Sequence, residues 1–152
     1  MAAGPVTVLD LALEKLGEGV INLESDDFNV VLCGDGQALS AAFTGTSGQA
    51  LYSDLEDEVA GGGTGYTAGG AALANPDWSR PGGVATFSAD STQWDALTAS
   101  MKYAVICRMD GATPDDILAI VDLEVTDPAG RTSAGGDFII NWGSALFTLT
   151  RA

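Results

Sequence analysis

The sequence predicts a mainly β protein: a single-domain antiparallel β-sandwich or jelly roll with a short N-terminal helix. Three observations carry that prediction. Short apolar runs recur from Phe28 to the end, each closed by glycine, proline, aspartate or asparagine. Helical spacing of leucines occurs in one stretch only, ahead of those runs. No internal repeat or linker divides the 152 residues, so the reading is one domain over 1–152, with an N-terminal segment and helix over 1–19 and a β-domain over 20–152.

The helix is predicted over Val8-Leu-Asp-Leu-Ala-Leu-Glu-Lys-Leu16, where Leu9, Leu13 and Leu16 form an apolar stripe ended by Gly17 and Gly19. That stripe needs a partner, either the domain's own sheet or a neighbouring subunit. Phe28-Asn-Val-Val-Leu-Cys33 reads as a strand closed by the turn Gly34-Asp-Gly36. Ala71–Ala74 and Val84–Ser88 are shorter strands around a Pro/Gly-rich loop that carries Trp78. Lys102–Met109 alternates, and Ile117–Val125 is apolar enough for a strand buried on both faces. Asp137–Trp142 and Ala145–Thr150 flank Gly143-Ser144, a two-residue hairpin signal.

Composition narrows the function. Charged residues make up only 18% against 46% hydrophobic, which implies surface hidden against other chains. Aspartate and glutamate number 21 against 6 lysines and arginines, a net charge of −15. Nucleic acid and anionic membrane surfaces are therefore unsuitable partners, since both call for a basic face. No apolar run reaches the roughly 20 residues of a membrane span. The N-terminus lacks the basic residues of a signal peptide, so the expectation is a soluble chain made in the cytoplasm.

The chain contains no histidine, which removes the usual general base and metal ligand. Carboxylate pairs remain, at Asp26-Asp27, Glu56-Asp57-Glu58 and Asp115-Asp116, but all fall at turns or strand edges. Neighbouring strand residues also point to opposite faces, which suits solvated turns better than acid–base catalysis. None of these clusters has the spacing of an EF-hand loop, and no calcium position is favoured. Cys33 and Cys107 read as small buried thiols in a reduced compartment.

The densest punctuation is the Gly-rich loop over 56–70, which contains Gly63-Thr-Gly-Tyr-Thr-Ala68. Those residues formally match a dinucleotide-binding fingerprint. The match lacks its physics: the acidic lead-in repels phosphate, and Gly69-Gly70 disfavours the helix that would cradle it. The reading is no cofactor, and a loop that packs against protein. Among the tryptophans, Trp142 and Trp94 are expected in the core, and Trp78 is the surface anchor.

In order along the chain, Leu16–Asp26 running into Phe28–Leu32, Gly63-Thr-Gly-Tyr-Thr-Ala-Gly-Gly-Ala-Ala-Leu73, Ala85–Asp90 leading to Trp94, Lys102–Ile106, Gly136–Ile140 and Leu146–Thr150 resemble a family of small virion structural proteins of tailed bacteriophages. The sequence departs from that pattern around Cys33 to Leu51. The resemblance implies a virion component, since members of that family are variously head- or tail-associated. The first reading is a capsid cement or decoration protein without catalysis, on the outer surface of the major capsid protein shell and assembled in the host bacterial cytoplasm, with self-association as a dimer or trimer expected from closed symmetry. The interface residues expected are Leu9, Leu13 and Leu16 on the helix, Glu56, Tyr66 and Thr67 in the Gly-rich loop, and Trp78. Removing residues 1–16 is expected to abolish shell binding while leaving the β-domain folded. The alternative is a tail, baseplate or fibre-attachment component that touches host glycans through exposed Tyr66 and Trp78. A carboxylate-dependent hydrolase is a third reading, which a panel of polysaccharide and peptidoglycan substrates would test.

Overall fold

The leucine-rich start of the chain does two jobs in sequence. Val6–Val8 forms strand β1, and Asp10–Glu18 forms the helix α1. Gly19 ends the helix in the left-handed conformation, its N–H bonding the carbonyls of Leu16 and Lys15. The structure is a computed structural model that describes residues 1–37 and 51–150; residues 38–50 of the segment that departs from the family pattern lie outside that description.

Nine further strands follow among the described residues: β2 (Phe28–Cys33), β3 (Ala71–Ala72), β4 (Asp77–Ser79), β5 (Ala85–Ser88), β6 (Thr92–Met101), β7 (Tyr103–Asp110), β8 (Thr113–Asp122), β9 (Arg131–Ile140) and β10 (Phe147–Leu149). They form a five-stranded sheet in the order β1-β8-β7-β2-β3, a three-stranded sheet β10-β5-β4 and a two-stranded ribbon β6-β9, every pair antiparallel. The mainly β, antiparallel architecture with one short N-terminal helix is the one the sequence predicts, and it is consistent with a β-sandwich.

The large sheet holds the middle of the core. Val30, Val31, Leu32 and Cys33 of β2 are all buried, as are Ala104 to Cys107 of β7 and Ile117 to Val121 of β8. Strands covered on both faces read as continuous apolar runs, which is why these three were visible in the sequence. An aromatic chain joins the sheets: Phe28 of β2 meets Phe87 of β5 edge-on at 5.5 Å, and Phe87 meets Phe147 of β10 at 5.4 Å. Lys102, between β6 and β7, is buried with its ammonium held by Asp122 Oδ1 at 3.0 Å, the Asp127 carbonyl at 2.9 Å and the Glu124 carbonyl.

Four expectations are corrected. Gly143-Ser144 does not close a hairpin: β9 pairs with β6 and β10 with β5, so the chain changes sheets there. The strand predicted over Ile117–Val125 begins earlier, at Thr113, and stops at Asp122; Val125 is 65% exposed. Its first residues looked like a turn because of Pro114 and two aspartates, but Arg108 on the facing strand neutralises both acids. Strand β6 was not foreseen. Its buried Thr92, Trp94, Leu97 and Met101 lose their alternation at an irregularity around Ala96, whose φ is +51°.

The fourth correction concerns residues 1–16, which belong to the domain they were expected to leave intact. Strand β1 is the edge partner of β8, Leu9 is 2% exposed, Ala12 is in the core, and the Met1 amino group donates to the Ile139 carbonyl at 2.8 Å. Lys15 also ties α1 to the buried Asp116 of β8. Removing this segment strips an edge strand and opens the core. Leu9→Ala isolates the packing term, and its unfolding free energy in urea is expected to fall by about 2–5 kcal/mol.

Candidate functional site

The Gly-rich loop over 56–70 is built around one carboxylate. Glu58 accepts from the Tyr52 hydroxyl at 2.6 Å, the Tyr66 hydroxyl at 2.8 Å and the Gly69 N–H at 2.7 Å. The Tyr66 hydroxyl in turn accepts the Leu32 N–H at 3.1 Å, which places the ring against β2. Backbone bonds fix the same segment from its other end: Val59 N–H to the Leu32 carbonyl at 2.8 Å and Gly34 N–H to the Asp57 carbonyl at 2.9 Å. Asn29 donates to the Gly69 carbonyl at 2.8 Å. Gly70 sits with a φ of +79° so close to the Val30 backbone that no Cβ fits. Gly63-Thr-Gly-Tyr-Thr-Ala68 is followed by a turn and β3, where a dinucleotide fingerprint needs a helix.

This geometry corrects one predicted contact residue. Tyr66 is 4% exposed and its hydroxyl is fully engaged, so it is a core residue of the domain. Glu56 and Thr67 are exposed. Close packing of the loop, read from its glycines, is satisfied inside the chain. Glu56 and Asp57 donate their N–H groups to Gln37 Oε1 at 2.9 and 3.0 Å, and Asp57 Oδ2 accepts the Gly36 N–H at 2.9 Å.

The remaining acid clusters are similarly engaged. Arg108 bonds Asp116 at 2.9 Å and Asp115 at 3.2 Å, and Asp116 also receives Lys15. Asp26 accepts the Asn22 N–H at 2.9 Å. Among the described residues no group of three or more aspartates, glutamates and cysteines is gathered as a metal site. Cys33 and Cys107 are free and buried. Cys107 stands opposite Asn29, four residues along β2 from Cys33. That is about 13 Å of strand, beyond the ~4–7 Å between Cα atoms that a disulfide requires.

Three other predicted contact residues come together. Leu13 and Leu16 of α1 and Trp78 of β4 line one groove of about 530 Å³, with Ile21, Leu23 and Leu149 completing its apolar wall. Leu13 is 42% and Leu149 44% exposed, large values for leucine. Trp78 leans on Phe147 at 6.5 Å, which fixes its ring at the surface end of the aromatic chain. Leu9, expected on the same stripe, is the residue that caps the start of α1 and is buried in the core, so of the three only Leu13 and Leu16 reach the groove. Sequence reasoning missed Ile21, Leu23 and Leu149. Val20-Ile-Asn-Leu23 straight after the helix stop was a signal for the first two; Leu149 reaches the groove only through the β10–β5–β4 pairing. Trp94 and Trp142 are buried, as expected, with Trp94 against Phe138 and the Trp142 indole N–H donating to Thr92 at 3.0 Å.

A scan against family models finds no match for this chain, and searches of curated proteins and of solved structures find none either.

Two outcomes test the loop. Tyr66→Phe leaves the Leu32 N–H without its acceptor and removes a donor from Glu58, and should lower stability to urea by about 1–3 kcal/mol. The second concerns alkaline pH. Burial first, then the Glu58 and Asp57 charges, push the Cys33 thiol from its ordinary 9.0 to about 12. Burial and the Glu58 hydrogen bond push Tyr52 from 10.0 to about 12. Both groups are held neutral in the folded state, so their stabilising contribution is complete below pH 9 and is lost as pH rises toward 12. Urea midpoints measured from pH 8 to 12 should fall across that window, and Cys33→Ala should flatten the early part of the fall.

Proposed function

We propose that this protein is a structural component of a tailed-bacteriophage virion: a cement protein that binds the outer surface of the major capsid protein shell and stabilises it. The reading starts from the resemblance carried by the Gly-Tyr-Thr-Ala-Gly-Gly segment and its spacing from Tyr103-Ala-Val-Ile106. The observation that supports it is the convergence of Leu13, Leu16 and Trp78. Trp78 lies far along the chain from Leu13 and Leu16, yet all three were expected at an interface from sequence alone and share one half-open apolar groove.

A cement protein works by burying surface across its contact with the shell, so that opening the shell also requires stripping the cement. Interfaces of about 1,200–2,000 Å² suit a stable contact of this kind, and repetition over many copies multiplies the effect. A rigid β-domain fits the task, because its groove residues are held by the core and lose little freedom on binding. Self-association as a dimer or trimer belongs to the same proposal, as closed symmetry is the rule for such assemblies. The tail-component alternative relied on Tyr66 and Trp78 as an exposed aromatic pair for glycans. With Tyr66 buried beneath Glu58, its ring is withdrawn as a contact from both the cement and the tail reading.

The test separates virions carrying this chain into heads and tails and measures its abundance in each. Many copies on heads are expected; recovery from tails alone overturns the reading. Leu13→Asp, at an exposed position, should keep the melting temperature of the free protein and weaken binding to stripped heads by about tenfold or more.

A further inference from the structure

Four of the six basic residues are paired with carboxylates. Lys15 is held by Asp116, Lys102 by Asp122, Arg108 by Asp115 and Asp116, and Arg131 by Glu124 at 2.7 Å. The outward field is therefore made mainly by unpaired carboxylates, in a chain of net charge −15. At the groove this asymmetry is local. Among the described residues Glu24 is the one charged residue lining it, and Arg80, two residues beyond Trp78, is exposed outside that lining. Asp10 lies three residues before Leu13 and Glu14 three before Gly17, on the neighbouring solvent side of α1, and both are exposed. The helix's single base, Lys15, is turned away to β8.

From this charge pattern we infer that the groove receives an apolar segment of a partner protein flanked by lysine or arginine. The inference deepens the proposed role of the groove and rests on it. Leu13, Leu16, Trp78 and Leu149 take the apolar anchors, and Glu24, Asp10 and Glu14 face the flanking cations. A second copy of this chain is the poorer occupant, since it brings a second net charge of −15 onto an acidic rim. Self-association, where it occurs, uses another face.

The experiment uses the full chain and two synthetic amphipathic helical peptides. Both carry leucines at i, i+3, i+4 and i+7; one has lysines at the remaining positions and the other glutamates. Trp78 is the reporter, because Trp94 and Trp142 are only 5% and 4% exposed. The lysine peptide should bind about tenfold or more tightly than its glutamate twin at low salt, with the gap closing at high salt. Leu13→Ser should weaken the lysine peptide about tenfold, whereas Ile139→Ser, at an exposed apolar residue outside the groove, should leave it unchanged. The double variant Glu14→Gln with Glu24→Gln should narrow the gap between the peptides. Equal binding of both peptides, no binding of either, or equal effects of Leu13→Ser and Ile139→Ser overturns the inference. The head-and-tail separation uses no peptide, so a chain found on heads that fails here loses this inference alone. A chain absent from heads that still prefers the lysine peptide through Leu13 loses the shell reading alone.

Discussion

The Glu58 carboxylate is the constraint on which the packing of the Gly-rich loop over the central sheet depends. It gathers two tyrosine hydroxyls and a backbone N–H from three places in the sequence, and one of those hydroxyls also satisfies the Leu32 N–H of the central sheet. A glycine-rich stretch has little apolar surface of its own with which to hold a position. Charge-assisted hydrogen bonds supply what burial cannot, at roughly twice the strength of neutral ones. They are directional, so they fix where the segment lies as well as that it stays. The glycines then have a structural reason: the backbone at Gly70 lies directly on Val30, and any side chain there would lift the segment off the sheet and pull Glu58 from its donors.

Much of the fold was legible in the sequence where burial is two-sided. Strand β2 has the bounds the apolar run gave, and β7 differs by one residue at each end. The helix end was legible at Gly19, its left-handed cap, whereas Gly17, expected to end the helix, lies inside α1. What was not legible depends on partners distant in sequence. Pro114-Asp-Asp116 reads as a turn until Arg108 and Lys15 are seen to cancel its charge. Gly143-Ser144 reads as a hairpin until β9 is seen to take β6 as its partner, which leaves β10 to cross to another sheet. Strand β6 hides its alternation behind the irregularity at Ala96. At the candidate site, Leu13, Leu16 and Trp78 were named separately in the sequence and the fold brings them to one groove, whereas Tyr66 was misplaced because nothing in its local sequence announces Glu58 as its acceptor.

The groove owes its character to a division of labour within one short helix. Nine residues cannot form a stable helix in water alone, so α1 must be held by tertiary contacts. Leu9 and Ala12 provide them on one side, and Lys15 adds an ion pair to a buried aspartate. With the helix anchored on that side, Leu13 remains uncovered without cost to the fold. An exposed leucine on an isolated helix would be a liability; on an anchored one it is surface available for recognition. The same ion pair removes the helix's only base from the outer face, so apolar exposure and negative charge are presented together.

Lys102 carries a consequence for how this molecule breathes. Its ammonium is shared among the Asp122 carboxylate and the carbonyls of Glu124 and Asp127, while its backbone N–H donates to the Cys33 carbonyl and its own carbonyl accepts the Leu123 N–H. The segment after β8 is exposed and acidic, and by appearance it is a loop free to fluctuate. Opening it would strip the buried cation of both carbonyl acceptors and leave it the Asp122 carboxylate alone, at the junction of β8 with the start of β7. Its motions are thereby tied to those of the central sheet, and its amides should exchange with solvent on the slow timescale of the core instead of the fast one of surface turns.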